Sequence, residues 1–466
     1  MDVTSFDIIA IIVYFAFVGV FAYLTRRTKT FAEFSIAKHT IPASMIFASL
    51  SATYVGPGFS VGLTSKGYAT GYLFYFLAFT FILQTILVGI FVAPKLSRFR
   101  NCHTLGDVMD RCYGKFSHLL GGIISVGLCI GFSAIMAKIG GGLLQATTGL
   151  PLMLCIVIIT TITALYTFTG GIRASIATDG LQFGLFSIII PIMLLIAFFK
   201  STVPASQIAT QAFELTKEGF GGMSAIQIIA ILLSFLLGET LIPPYANRAL
   251  AAKSSGASKH GFILAGCFGI VWLGIVFSLG IYGHQFVAEG TSPDDVFISM
   301  GTKLLPSGAF GLLLAALIAI VMSSQDSVMN AGSVAIVRDI LGIHKELPDG
   351  KALFVGRIGT IFIAAVATIV ARYSPSIIEG LLICYSIWAP SVLLPLLIGL
   401  FRKKTVHAAG WTSMLAGGIT SIVWQALLKE PAGIPAILVG LIAAVIGYYI
   451  GHFIGKKESI HSHQGE

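Results

Sequence analysis

Windows of roughly twenty consecutive apolar residues constrain a chain more than any other sequence feature. Backbone polar groups inside lipid must find partners within their own segment, so such windows fold as membrane-crossing helices. This chain carries them along nearly its whole length. Thirteen candidate spans have approximate cores at 6–24, 41–62, 70–93, 119–145, 151–169, 180–199, 224–245, 261–283, 308–337, 354–371, 377–400, 408–427 and 433–454. Of the 466 residues, 56% are hydrophobic and 11% charged, and the mean hydropathy is +0.91. A water-soluble chain of this length needs more polar surface, so the surplus apolar side chains face lipid. The expected fold class is an all-α integral membrane protein of about 13 helices in one transmembrane domain. The longest connections, 95–118, 200–223, 246–260 and 284–307, are too short for a soluble domain.

A net charge of +9 would suggest a nucleic-acid partner in a soluble protein, but its placement here says otherwise. With thirteen spans, alternate connections gather twenty-two Lys and Arg on one side, Arg248 among them. The other side holds six: Lys66, Lys200, Lys217, Lys303, Arg372 and Lys429, with Lys138 left inside a span. The positive-inside rule then places the chain in the cell membrane, N-terminus outside and C-terminus cytoplasmic. The first span has no basic stretch before it and reads as a retained helix rather than a signal peptide. Cys129, Cys155, Cys267 and Cys384 lie in spans and Cys102 and Cys112 in a cytoplasmic connection, so no disulfide is expected. The histidines at 461 and 463 read as part of a solvated end.

Two spans contain helix breakers. The second passes through Gly56-Pro57-Gly58, and the seventh through Gly238 and then Pro243-Pro244. One reading is two ordinary kinks. The other is a pair of interrupted helices in corresponding positions, the sequence pointer to an inverted-repeat transporter with its site at mid-membrane. In the ninth span Ser323 and Ser327 share a helix face, flanked by Ser324 and Asp326. Serines alone often serve close packing, but with a carboxylate in the same span the oxygen-rich segment suits a hard monovalent cation. Lys138, in the fourth span, costs about 2.5–3.5 kcal/mol at mid-membrane on insertion scales. It reads as a structural pair with Glu239 or Asp326, as a holder of an anionic substrate group, or as a stand-in for a coupling cation.

The segment Ala164–Gln182, with Thr169-Gly170-Gly171-Ile172-Arg173, resembles the signature of the sodium:solute symporter family. Met322–Ser327 resembles that family's sodium-site helix, Asn247–Lys253 the connection after its broken seventh helix, and Ala389–Pro395 its eleventh. The family includes proline, pantothenate, sialic acid and sugar symporters. The resemblance implies a LeuT-type fold, with two inverted five-helix repeats at 41–199 and 224–400, a helix at 6–24 before them and two at 408–454 after. It implies a Na+ site built from the carbonyls of Phe47, Leu50 and Ile320 and the hydroxyls of Ser323 and Ser324. Asp179 matches a family aspartate at the start of the sixth span; with Ser327 it reads as a second, weaker Na+ site, or as a helix-start carboxylate favoured by the macrodipole. Sugar-transporting members carry Ala-Glu-Gln where this chain has Ala52-Thr53-Tyr54, and their aromatic gate aligns with Gly238 and Glu239, so a sugar is not expected. In sialic acid members the fourth helix supplies a cation for the substrate carboxylate, an arrangement Lys138 resembles loosely. The expected substrate contacts are Ser51, Thr53, Tyr54, Lys138 and Glu239.

The function expected is sodium-coupled import of a small polar solute bearing a carboxylate (an amino acid, organic acid or vitamin) by alternating access. The runner-up is a proton-coupled or uncoupled exchanger on the same fold, with Lys138, Glu239 and Asp179 carrying protons. An enzyme is not expected: the His-Glu-x-x-His pattern of metalloproteases is absent, and so is the phosphate loop of ATP-driven transport.

Overall fold

The computed structural model describes all residues except 1–3, 26–27, 343–347, 375–376, 456–458 and 462–466. Among the described residues the regular structure is helical apart from an isolated parallel bridge between Ile41 and Ala252 and a short ribbon in which Lys404–Val406 pairs antiparallel with Ser459–His461. The tail, expected to be a free end, is therefore pinned as far as His461. Eight helices are long and apolar enough to cross a membrane, or up to ten if each of two bent pairs is one span.

The difference from thirteen has local causes. The fifth and sixth spans follow one another without a connecting loop: the stretch Leu152–Lys200, of 49 residues, is two helices abutting at a kink, enough for two crossings. They meet at Gly171, whose backbone is left-handed (φ +58°), with the Phe34 carbonyl oxygen 2.6 Å from where a Cβ would stand. Only glycine fits there. Asp179 therefore sits two turns beyond the kink, not at a helix start, which removes the macrodipole reading. The second span is Ala43–Tyr54 followed by Gly58–Thr70 at an angle of 61°. The seventh ends as Ala225–Leu237 and resumes as Pro243–Ala251. Arg248, assigned to a connection by the sequence reading, is thus 1% exposed within the helical body.

Connections expected to be irregular carry helices of their own. Leu105–Tyr113 starts with a capping box in which Thr104 and Asp107 satisfy each other's backbone donors, and Ala225–Leu237 starts with another from Ser224 and Gln227. Ala205–Gly221 turns through 109° into Ala225–Leu237.

The ninth span, Ala309–Ile340, is the axis of the molecule: 94% of its most apolar window is buried, against 33% for Leu152–Lys200 and Ala436–Ile454. Small residues let neighbours approach it, with Gly359 against the Ser333 backbone and Gly332 against Cys129 and Ile363. The first helix, Ser5–Thr25, presents Phe6, Ile9, Ile12, Phe17 and Val20 outward and Ile11, Tyr14 and Val18 inward. Its Asp7 carboxylate accepts from the Gly308 and Gly311 amides at 2.8 and 2.7 Å, capping the ninth span where its dipole favours an anion.

Polar contacts sort the connections into two ends. At the basic end His39 bridges the Leu250 and Arg100 carbonyls, Arg100 donates to Lys253, and the Phe31 amide donates to Asp349. At the opposite end the Tyr72 amide donates to Thr216, Ser201 to Gln285 and Lys200 to the Leu304 carbonyl.

Candidate functional site

The site grows from the two breaks. Pro57 has no N–H, so the Thr53 carbonyl loses its helical partner. It accepts instead from the Gly56 amide at 3.3 Å and from the Ser324 hydroxyl at 3.5 Å. Ser324 also donates to the Ile320 carbonyl one turn back, at 3.2 Å. The ninth span thus lies with its serines against the end of the first half-helix. Phe47 and Leu50 belong to that half-helix, and the Phe47 ring packs on Phe183 with centroids 5.3 Å apart. The other break holds Leu241 in a left-handed conformation (φ +51°), which a branched side chain adopts only where its surroundings impose it. The reversal carries Glu239 inward, anchored by the Trp388 indole N–H on the Thr240 carbonyl at 3.0 Å.

Toward the basic end lies a buried polar network. Ser323 donates to Asp179 Oδ1 at 2.5 Å, and Ser49 donates to Asp179 Oδ2. Arg248 reaches this point from the resumed seventh helix. Its Nη2 lies 2.9 Å from Asp179 Oδ2, 2.6 Å from Ser327 Oγ and 3.1 Å from Thr53 Oγ1, while Nε donates to Ser49 at 2.7 Å and Nη1 to the Pro244 carbonyl at 2.9 Å. In this conformation a guanidinium thus stands between Asp179 and Ser327, where sequence reasoning put a second Na+. Asp326 is buried one turn away, accepting from Ser175 at 2.8 Å and from Ser327 at 3.0 Å. Sequence reasoning missed Arg248 because the window that ended the seventh span stopped at Tyr245. The signal was present, since Ala249-Leu-Ala-Ala252 continues the apolar run beyond it.

A central cavity opens on the other side of these breaks. Thr53, Tyr54, Glu239 and Ser324 line it together with Phe59, Phe132, Tyr245 and Tyr385, and its volume of about 20 Å³ has room for about one water. Glu239 accepts from the Tyr245 hydroxyl at one oxygen and from Tyr385 at 2.6 Å at the other. Of the expected substrate contacts, Ser51 is buried but does not line the cavity, and Lys138 is not brought there at all. The Lys138 ammonium donates to the Ser374 carbonyl, just past the end of the Asp349–Ala371 helix at the opposite end. The expected pairing with Glu239 or Asp326 is therefore replaced by snorkelling. A four-carbon stem reaches a connection that dips beside the fourth span, although that helix continues ten residues further, to Thr148.

Between the cavity and the opposite end stands a thin apolar layer of Phe59, Phe235, Leu381 and Leu382. Beyond it lies a cavity of about 770 Å³ bordered by Lys66, Glu379, Lys429 and Glu430. Between the Arg248 network and the basic end lies a second charged tier. Arg338 Nε is 2.6 Å from Asp107, His118 Nε2 is 2.8 Å from Asp339, and Thr104 donates to Asp339 at 2.6 Å. Burial alone would push the Asp107 carboxyl up, but the Arg338 guanidinium and the His103 amide outweigh it and hold it below the ordinary carboxylate range.

This arrangement places a small occluded cavity, walled mainly by aromatic and aliphatic side chains, between two half-helices. The sodium:solute symporter family model matches residues 34–417. The sodium/pantothenate symporter of Escherichia coli (strain K12) is 25% identical over 452 residues, covering 92% of this chain and 93% of that protein. Sodium/glucose cotransporter 1 of Oryctolagus cuniculus is 24% identical, covering 93% and 75%. The fold is shared with a Na+-coupled sialic acid symporter solved in a substrate-bound outward-open state, at a TM-score of 0.84 and 19% identity over 98% of this chain and 99% of that one. A multi-pass membrane protein with this match is a secondary transporter of a small molecule, not an enzyme, and Na+ is its coupling ion. The chain belongs to the sodium:solute symporter family.

Proposed function

We propose that the chain imports a small polar solute together with Na+ by alternating access, using the cavity between its two broken spans. The observation that carries the reading is the meeting of Ser324 with the Thr53 carbonyl at the break of the second span. Hydroxyls beside half-helix carbonyls make the oxygen cage a hard monovalent cation requires. The Na+ site in this reading consists of the Phe47, Leu50 and Ile320 carbonyls with Ser323 and Ser324. Asp179 and Ser327 take a second Na+ only in a conformation from which Arg248 has withdrawn. Thr53, Tyr54 and Glu239 contact the solute, and Ser51 supports them from behind. The anionic solute rested on Lys138, whose bond to Ser374 takes it out of the cavity, so a solute held by its carboxylate alone is not part of the proposal.

In the same reading thirteen spans cross the cell membrane, as repeats at 41–199 and 224–400 with 6–24 before them and 408–454 after. The basic end is cytoplasmic, with the N-terminus outside. A unique cysteine at Glu289 then reacts with an impermeant thiol reagent from outside and one at Lys404 only from inside; labelling of both from one side would exclude this topology.

Sodium coupling is tested on purified protein by thermal unfolding in NaCl against KCl of equal ionic strength. An ion that binds only the native state at one hundred times its Kd adds about 2.7 kcal/mol. A concentration-dependent rise in Tm specific to Na+, lost in the double variant Ser323→Ala with Ser324→Ala, is expected. Identical curves in both salts would remove the site.

A further inference from the structure

We propose that the solute carries an organic ammonium group, held in the central cavity by Glu239 and a ring of aromatic side chains. The proposal rests on the sodium-coupled reading above and adds the chemical class of what is carried. It begins with charge. Glu239 is 5% exposed and lies mid-chain between two half-helices. Among the described residues no Lys, Arg or His nitrogen comes within 4.0 Å of it; buried Asp7 and Asp326 lack one too, but of the three only Glu239 lines the central cavity. Its two oxygens meet only the Tyr245 and Tyr385 hydroxyls. An ionised carboxylate at this depth is costly without a cation, and hydroxyl donors offset only part of that cost.

The walls supply the second, independent part. Tyr54 and Tyr245 stand with ring centroids 4.2 Å apart, and Phe132 lies 5.9 Å from Tyr385. Phe59 closes the cavity toward the apolar layer. A single carboxylate among aromatic side chains, with no competing cation beside it, is the set of groups that recognises alkylated and quaternary ammonium ligands. A ligand enters when the layer of Phe59, Phe235, Leu381 and Leu382 parts, because about 20 Å³ does not admit one in this conformation.

The test measures binding to the purified full chain in NaCl, by thermal shift and by displacement, with choline, glycine betaine and L-proline as ammonium-bearing probes. The neutral isostere 3,3-dimethyl-1-butanol and pantothenate, a carboxylate without an ammonium, are the controls. At least one ammonium probe should bind ten-fold or more tighter than both controls. Glu239→Gln should lose ten-fold or more of that affinity while keeping the Na+-specific rise in Tm, which also reports that it folds. Tyr385→Phe, which keeps the ring, should lose less. Controls that bind as well as the ammonium probes, or a folded Glu239→Gln protein with unchanged affinity, overturn the proposal. A Na+ response with no ammonium probe bound overturns it alone and leaves sodium coupling standing. Ammonium binding indifferent to Na+ supports it and sinks the sodium-coupled reading instead.

Discussion

The two sides of the central cavity are closed by different chemistry. Toward the basic end stand two tiers of charge, Arg248 with Asp179, then Asp107 with Arg338 and His118 with Asp339. Toward the opposite end stands one apolar layer of Phe59, Phe235, Leu381 and Leu382, with a cavity of about 770 Å³ behind it. Charged tiers are directional and costly to break one partner at a time. Apolar rings part without leaving an unsatisfied polar group. In this conformation the central cavity is closed on both sides, by two charged tiers toward the basic end and by one apolar layer toward the other. In the alternating-access reading proposed above, the charged side holds the closed state and the apolar side admits the solute.

Removing Arg248 should break the contrast most severely. Arg248→Ala leaves the Asp179 carboxylate buried with serines alone, and breaking a buried pair costs about 3–5 kcal/mol. A large fall in Tm and in yield is expected, with partial recovery in the double variant Arg248→Met with Asp179→Asn. A single variant that melts with the wild type would show that the tier does not hold the closed state.

Thinning the apolar layer should act on access rather than on stability of the closed end. In a Leu381→Cys protein, adding Phe235→Ala should speed labelling by an impermeant thiol reagent from the opposite end by roughly ten-fold, a 1.4 kcal/mol shift in the opening equilibrium. Equal rates would place the barrier elsewhere.

A smaller change is expected within the Na+ site. Ser324→Ala removes one ligand, worth about 1–3 kcal/mol, so the Na+ concentration for half-maximal response should rise about five-fold or more. The response in Ser323→Ala separates a ligand from a mere partner of Asp179.

The second tier should be titratable and the apolar layer should not. Asp107 has a carboxyl held below its ordinary value of 3.8. A group lowered on folding adds stability above its unfolded pKa and loses it as pH falls through the folded one. The stability gap between wild type and Asp107→Asn should therefore be full at neutral pH and shrink below about pH 4. A gap that persisted undiminished at lower pH would mean that the carboxylate charge contributes nothing.

The smallest effect belongs to Lys138. Because its ammonium ends on the Ser374 carbonyl outside both tiers, Lys138→Met should fold and take up solute with nearly unchanged affinity. A ten-fold loss of affinity in a well-folded protein would return it to the binding site.

The sequence alone determined the membrane-embedded helical class, the breaks after Tyr54 and Leu237, and the family through Ala164–Gln182 and Met322–Ser327. Each is written in a short window, because lipid demands local hydrogen bonding and apolarity, and Gly and Pro act on their own turn. Tertiary structure decided everything that depends on which helix faces meet. It set the fifth and sixth spans end to end across a kink at Gly171, where Phe34 crowds the backbone, and carried Arg248 from an apparent connection onto Asp179, 69 residues away. It also sent Lys138 to Ser374, 236 residues on, and set Glu239 beneath Tyr385, 146 residues on. A buried charge takes the partner that packing brings within about 3 Å, and no local pattern records which residue that will be.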